Sequence, residues 1–161
     1  MFCGMNYIYY LCNQENNATM LPKEKEAYKR LEDSGLRPSV QRLIIMDYLL
    51  SHHTHSTVDE VHKDLGRKFP TLSKTTVYNT LRLFSECKAA QMITIDEHRV
   101  CYDGVTVPHA HFYCRRCGRI IDMDGICMPQ LPIGESVGGN TVDEVQLYYK
   151  GICAKCSATK E

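Results

Sequence analysis

The sequence has 161 residues, 43% of them hydrophobic, and its 19 Lys and Arg balance 19 Asp and Glu for a formal charge of zero. That length suits one large domain or two small ones, no apolar run approaches the roughly 18 residues of a membrane span, and neutrality excludes a globally basic nucleic-acid binder. The nine cysteines are odd in number and the opening stretch lacks a basic n-region and a small-residue cleavage site, so a cytoplasmic, reducing setting is expected, with no membrane partner.

Residues 1–20 read as a disordered N-terminal extension to which no function is assigned. Pro22, Tyr28 and Leu31 three apart, and Gly35 beyond them predict a first helix over residues 22–34. Leu36, Arg37 and Pro38 break the chain. Ser39 is then placed to cap a second helix to about Ser51, with Val40, Leu43, Ile44 and residues 47–50 as its stripe. After the polar loop from His52 to Ser56, Thr57 stands three residues before Glu60, the spacing of a capping box. Val58, Val61 and Leu65 carry a third helix to about Lys68. Phe69 and Pro70 begin a connector, and Ser73 caps a fourth helix over residues 74–86.

At roughly 100° per residue, Val77, Leu81 and Phe84 of this fourth helix share one sector and face a core. Thr75, Tyr78, Asn79 and Arg82 fall on the other side. They offer the hydroxyl, amide, aromatic and guanidinium groups that read base edges and phosphates in a major groove; the bland alternative is an ordinary solvated face. Lys74 and Thr75 at the helix start, and Arg37 and Arg42 upstream, are candidates for phosphate contacts, and the two arginines read equally well as solvated charge. Residues 90–95 and 99–103 are β-rich runs around a short polar turn, so helices followed by a hairpin give the order of a winged helix-turn-helix. Charge distribution is compatible: residues 23–82 hold 11 Lys and Arg against 8 Asp and Glu, net +3, while residues 83–161 hold 8 against 10, net −2.

Beyond about residue 105 the pattern changes to strands, expected at 109–115, 119–123 and about 145–149, with Pro129, Pro132 and Gly138-Gly139 allowing only a short helix between. His109 and His111, one residue apart, project from one side of such a strand and make half of a metal site. Cys114-x-x-Cys117 followed by Gly118, with Cys153-x-x-Cys156 near the C-terminus, has the spacing of a structural zinc site. The other five cysteines, Cys3, Cys12, Cys87, Cys101 and Cys127, show no regular spacing and read as reduced thiols. Domains are expected over residues 21–104 and 105–161.

A winged helix carrying the run from Ser73 to Arg82, then His109-x-His111, Cys114-x-x-Cys117-Gly118 and Cys153-x-x-Cys156, resembles the ferric uptake regulator family of bacterial repressors over residues 22–157. The resemblance implies an α+β protein: a winged-helix DNA-binding domain, then a small α/β dimerisation domain with a four-cysteine zinc site. It implies a homodimer on double-stranded operator DNA, and a regulatory Fe(II) or Mn(II) held by His55, Asp103, His109, His111 and Asp122. In the peroxide-sensing branch the carboxylates are aspartates, as here, and the histidines matching His55 and His109 are oxidised by peroxide, the one small molecule expected to act on the chain. The chain departs from the family in lacking a histidine in its last strand, and that further metal site is not carried over. Two other readings stand beside this one. One is an iron, manganese or zinc uptake regulator; the other, from the enzyme class, is a mononuclear metalloenzyme with His109, His111 and a carboxylate as a facial triad. Five candidate ligands leave an octahedral ion one open position, where a facial triad leaves several, so a regulator and not an enzyme is expected.

Overall fold

The computed structural model describes residues 22–52, 54–96, 98–123, 126 and 133–159. They fall into two compact units: residues up to Thr94 with His98–Thr106, and Ile95 and Asp96 with Val107 onward.

The first unit is helical. Helix α1 spans Pro22–Asp33, α2 Val40–Ser51, α3 Val58–Gly66 and α4 Lys74–Glu86. Each boundary has a local cause. Gly35, at φ 71, ends α1 in a left-handed turn that lets the Leu36 amide donate to the Leu31 carbonyl at 2.8 Å. Ser39 and Ser73 accept from the amides of Arg42 and Thr76, and Thr57 with Glu60 forms the expected capping box. Helix α3 stops at Gly66, short of the expected Lys68, because the Lys68 and Phe69 amides turn back to the Leu65 carbonyl and Phe69 precedes a proline.

Leu31, Leu43, Ile45, Met46, Leu49, Val61, Val77, Leu81 and Phe84 are buried in one core drawn from all four helices. At about 1.5–3 kcal/mol for each fully buried large side chain, this cluster is what holds α4 in place. Strands β1 (Gln91–Asp96) and β2 (Arg99–Asp103) pair as the hairpin expected of a wing. Arg30 of α1 ties the base of that hairpin, donating from Nη1 to the carbonyls of Ala89 at 3.3 Å and Gly104 at 2.8 Å. Gly104 packs closely on α2, since a Cβ there would lie 3.0 Å from the Leu49 carbonyl oxygen, tighter than most Cβ contacts.

The second unit holds a three-stranded sheet in the order β4–β3–β7, with β3 at Ala110–Cys114, β4 at Ile120–Asp122 and β7 at Leu147–Gly151. A small hairpin of β5 (Ser136–Val137) and β6 (Asn140–Thr141) precedes β7, and α5 (Ala154–Ala158) follows it. Strand β3 pairs antiparallel with β4 and parallel with β7. The last strand lies about two residues later than its alternation alone suggested, because the parallel register, Ala110 opposite Leu147 through Cys114 opposite Gly151, sets its ends. The prolines at 129 and 132, and any helix there, lie outside the described residues.

Candidate metal centres and nucleic-acid face

The parallel pairing of β3 with β7 carries both cysteine pairs to the same end of the sheet. Cys114 closes β3 opposite Gly151, and Cys153 follows two residues later as the N-cap of α5. Gly118, at φ 68, turns the chain back after Cys117. The four sulfurs of Cys114, Cys117, Cys153 and Cys156 all lie within 4.8 Å of one another. Those of Cys117 and Cys153 are 3.9 Å apart, close to the roughly 3.8 Å that tetrahedral zinc with 2.3 Å bonds requires.

The thiols titrate unequally. Cys114 is lowered to about 6, chiefly because the Cys153 amide donates to its sulfur at 3.3 Å, whereas Cys156 is pushed up to about 12, chiefly by its contact with the Cys153 thiol. Cys117 is lowered, first by the Arg119 guanidinium. Protein groups alone therefore ionise part of the cluster, and a divalent cation is needed to hold all four as thiolates. The donor set fits zinc. Arg119, which donates to the sulfurs of Cys117 and Cys153, escaped the sequence reading, where it served only to open a strand; its place two residues after a ligand was the available signal.

The same strand carries a harder donor set at its other end. His111 and Asp122 face each other across the β3–β4 pair, and His109 stands one residue before β3, its ring 4.3 Å from that of His111. Nε2 of His109 lies 3.3 Å, and Nε2 of His111 3.6 Å, from Asp122 Oδ1. His109 Nδ1 is 2.8 Å from the Val107 carbonyl, so Nδ1 carries the proton and Nε2 is left with a lone pair for a metal. His111 is buried, and His109 and Asp122 are partly exposed.

In the first unit the chain brings His55 to Asp103. Ser56 bridges to Tyr102, whose amide donates to the Ser56 carbonyl at 2.9 Å, so the preceding and following residues become neighbours. Both side chains are buried, His55 at 6% and Asp103 at 4% exposure, with ligand atoms within 4.8 Å. His55 sits at φ 48, a left-handed conformation uncommon for a residue other than glycine and of the kind concentrated at functional positions. Asp103 is fixed through Oδ1, which accepts from the Val105 amide at 2.9 Å.

Helix α4 turns Lys74, Thr75, Tyr78, Asn79 and Arg82 outward while Val77, Leu81 and Phe84 are fully buried. Arg82 pairs with Glu86 at 3.2 Å and Lys74 with Asp59, exposed pairs weak enough to exchange for another anion. Arg37 is exposed, whereas Arg42 is half-buried and donates to the Arg37 carbonyl at 2.7 Å, closing the turn before α2.

The sequence profile of the Ferric uptake regulator family matches residues 33–131. The chain belongs to the ferric uptake regulator family. Among relatives in this family, the Peroxide operon regulator of Bacillus subtilis is 35% identical over 134 residues, 83% of this chain and 92% of that one. The Peroxide-responsive repressor PerR of Staphylococcus epidermidis is 33% identical over 138 residues, covering 82% and 89%. The solved ferric uptake regulator of Helicobacter pylori shares the fold at a TM-score of 0.62 and 16% identity, covering 86% of this chain and 94% of that one. The Campylobacter jejuni peroxide stress regulator does so at 0.56 and 23% identity, covering 82% and 97%.

Proposed function

We propose that this chain is a metal-dependent transcriptional repressor that binds operator DNA as a homodimer and is released by peroxide. The observation that carries this is the pair of imidazole–carboxylate sets, His55 with Asp103 and His109 with His111 and Asp122, in a chain whose relatives at 33–35% identity are named for their response to peroxide.

The family resemblance assigns all five donors to regulatory metal binding. Mixed imidazole and carboxylate ligands suit Fe(II) or Mn(II), while the four thiolates suit zinc, so the chain sorts its metals by softness. Metal binding is read as the state that holds operator DNA, and loss of a ligand as its release. The chemistry ferrous iron supplies when bound is reduction of peroxide beside the imidazoles. In net terms peroxide would add one oxygen atom to the ring of His55 or His109 and leave its other oxygen as water, and the oxidised ring would be a poorer ligand. Tyr78, Asn79 and Arg82 of α4, with Lys74 and Thr75 at its start and Arg37 and Arg42 nearby, meet bases and phosphates. Paired half-sites demand paired heads, so domain geometry sets affinity. Regulation, and not turnover of a substrate, is the role.

Intact and peptide mass of the iron-loaded protein before and after a stoichiometric peroxide pulse, alongside operator binding, tests this reading. The expected result is one added oxygen on the peptide of His55 or His109 together with loss of DNA binding. Unmodified histidines with DNA binding retained overturn it in favour of a metal-uptake regulator.

A further inference from the structure

Arg119 stands in an unusual position for an exposed arginine. The left-handed Gly118 folds the chain back, and the guanidinium reaches across the cysteine cluster. Nε donates to Cys117 Sγ at 3.3 Å and Nη2 to Cys153 Sγ at 3.5 Å. The two sulfurs come one from each C-x-x-C pair and lie 3.9 Å apart. A planar guanidinium is a rigid fork able to hold two acceptors at once, which an ammonium on a flexible stem is not. Arg116, three residues earlier, is engaged elsewhere, donating to the carbonyls of Cys156 and Thr159 at 2.7 and 3.0 Å.

Four thiolates around a divalent cation carry a net charge of about −2, which one guanidinium halves. Cys117 is exposed whereas Cys153 is buried, so solvent peroxide meets Cys117 first. The damaging reaction is simple to write. The Cys117 thiolate attacks peroxide, giving a sulfenic acid and hydroxide; the Cys153 thiolate displaces the second hydroxide and forms a disulfide. Two thiolates lose two electrons, peroxide gains them, and two ligands are gone. Hydrogen bonds to a sulfur lone pair draw off the electron density this attack uses.

We propose that Arg119 is a positioning residue for the cysteine site: it clamps one sulfur of each pair and protects Cys117 and Cys153 from the oxidant the protein responds to. The inference rests on the reading of that cluster as a zinc site and of peroxide as the signal. It gives the chain a division of labour, in which imidazoles are spent on peroxide while the thiolates of the cysteine cluster are spared.

The test uses the full-length, zinc-loaded protein as wild type, Arg119→Gln and Arg119→Lys. Zinc release to the chelator 4-(2-pyridylazo)resorcinol is followed with and without peroxide, and the thiolate charge-transfer band is recorded after cobalt substitution. Arg119→Gln is expected to release zinc about 10- to 100-fold faster, the usual cost of losing an outer partner of a metal ligand. It is also expected to form the Cys117–Cys153 disulfide at lower peroxide and to shift the cobalt band to lower energy. Arg119→Lys, which keeps the charge without the fork, falls between. A glutamine variant indistinguishable from wild type in release and band overturns the proposal. Faster release with unchanged peroxide sensitivity overturns its protective half. If the glutamine variant does not fold, the lysine variant decides, and wild-type release there overturns the proposal. A wild type that holds no zinc and gives no thiolate–cobalt band instead overturns the zinc reading itself.

Discussion

Strand β3 carries two metal-binding chemistries five residues apart in the chain, and they are built on opposite principles. At its end, Cys114 joins three other sulfurs gathered within 4.8 Å, with backbone amides and Arg119 stabilising negative charge. At its start, His109 and His111 meet Asp122 through nitrogen and oxygen atoms, with the Val107 carbonyl orienting His109. The sulfur site is closed, its four donors supplied by two tight turns of one unit. The imidazole site is unfinished within its own unit, because three protein donors do not complete an octahedral ion. Closure suits a permanent fixture, whereas an incomplete donor set suits the switch proposed above.

The sharpest way to break that contrast is to open the closed site. Cys153→Ser removes a ligand while leaving α5 a residue able to cap it, since the Cys153 side chain makes no capping hydrogen bond. Structural zinc contributes on the order of 10 kcal/mol of folding free energy in small sites, so the variant is expected to lose its zinc and with it the fold of the sheet unit, leaving the helical unit folded. Metal analysis with near- and far-ultraviolet circular dichroism reads both, and a zinc-free variant with an intact sheet would sink the structural role.

His111→Ala probes the other end of the strand. Regulatory Mn(II) affinity should fall by more than the roughly 10- to 100-fold that losing an outer partner costs, with zinc content unchanged. Manganese titration by electron paramagnetic resonance checks it. Loss of both metals together would show the two sites to be one structural unit.

The smallest effect is in pH. Cys114 is lowered to about 6 and Cys156 pushed up to about 12, so near neutrality the first is already a thiolate and the second must shed its proton to bind zinc. Zinc affinity therefore rises with pH. A lowered pKa stabilises above the ordinary thiol value, and that contribution is lost as pH falls through about 6, where one more proton begins to compete. Chelator competition across pH should show the slope steepening there, and an unchanged slope would argue against the amide-stabilised Cys114 thiolate.

Much of this was legible in the chain because local chemistry decided it. Ser39, Thr57 and Ser73 cap the helices they were expected to cap, and Val77, Leu81 and Phe84 are buried because their spacing leaves no alternative once α4 forms. The spacing of Cys114, Cys117, Cys153 and Cys156 announced a shared ion before any strand was placed. What stayed hidden was decided at a distance. Helix α5, five residues long, gave no periodic signal, and the ends of β7 follow from its pairing with β3 more than from its own alternation. Arg119 looked like any surface charge, because nothing in one dimension says that a guanidinium two residues past a cysteine also reaches a sulfur 34 residues away.

By itself, then, the sequence determined the four helices, the wing hairpin, the soft and hard donor types and therefore the kinds of metal each set prefers, since these depend on residue identity and spacing along the chain. Only the tertiary structure decided that His55 stands beside Asp103, through the Ser56–Tyr102 bridge, that Asp122 comes opposite His111, and that one arginine spans two cysteine pairs. Strand register and backbone bridges between distant segments set those meetings, and register depends on the whole sheet's hydrogen bonding, which no short window of sequence contains.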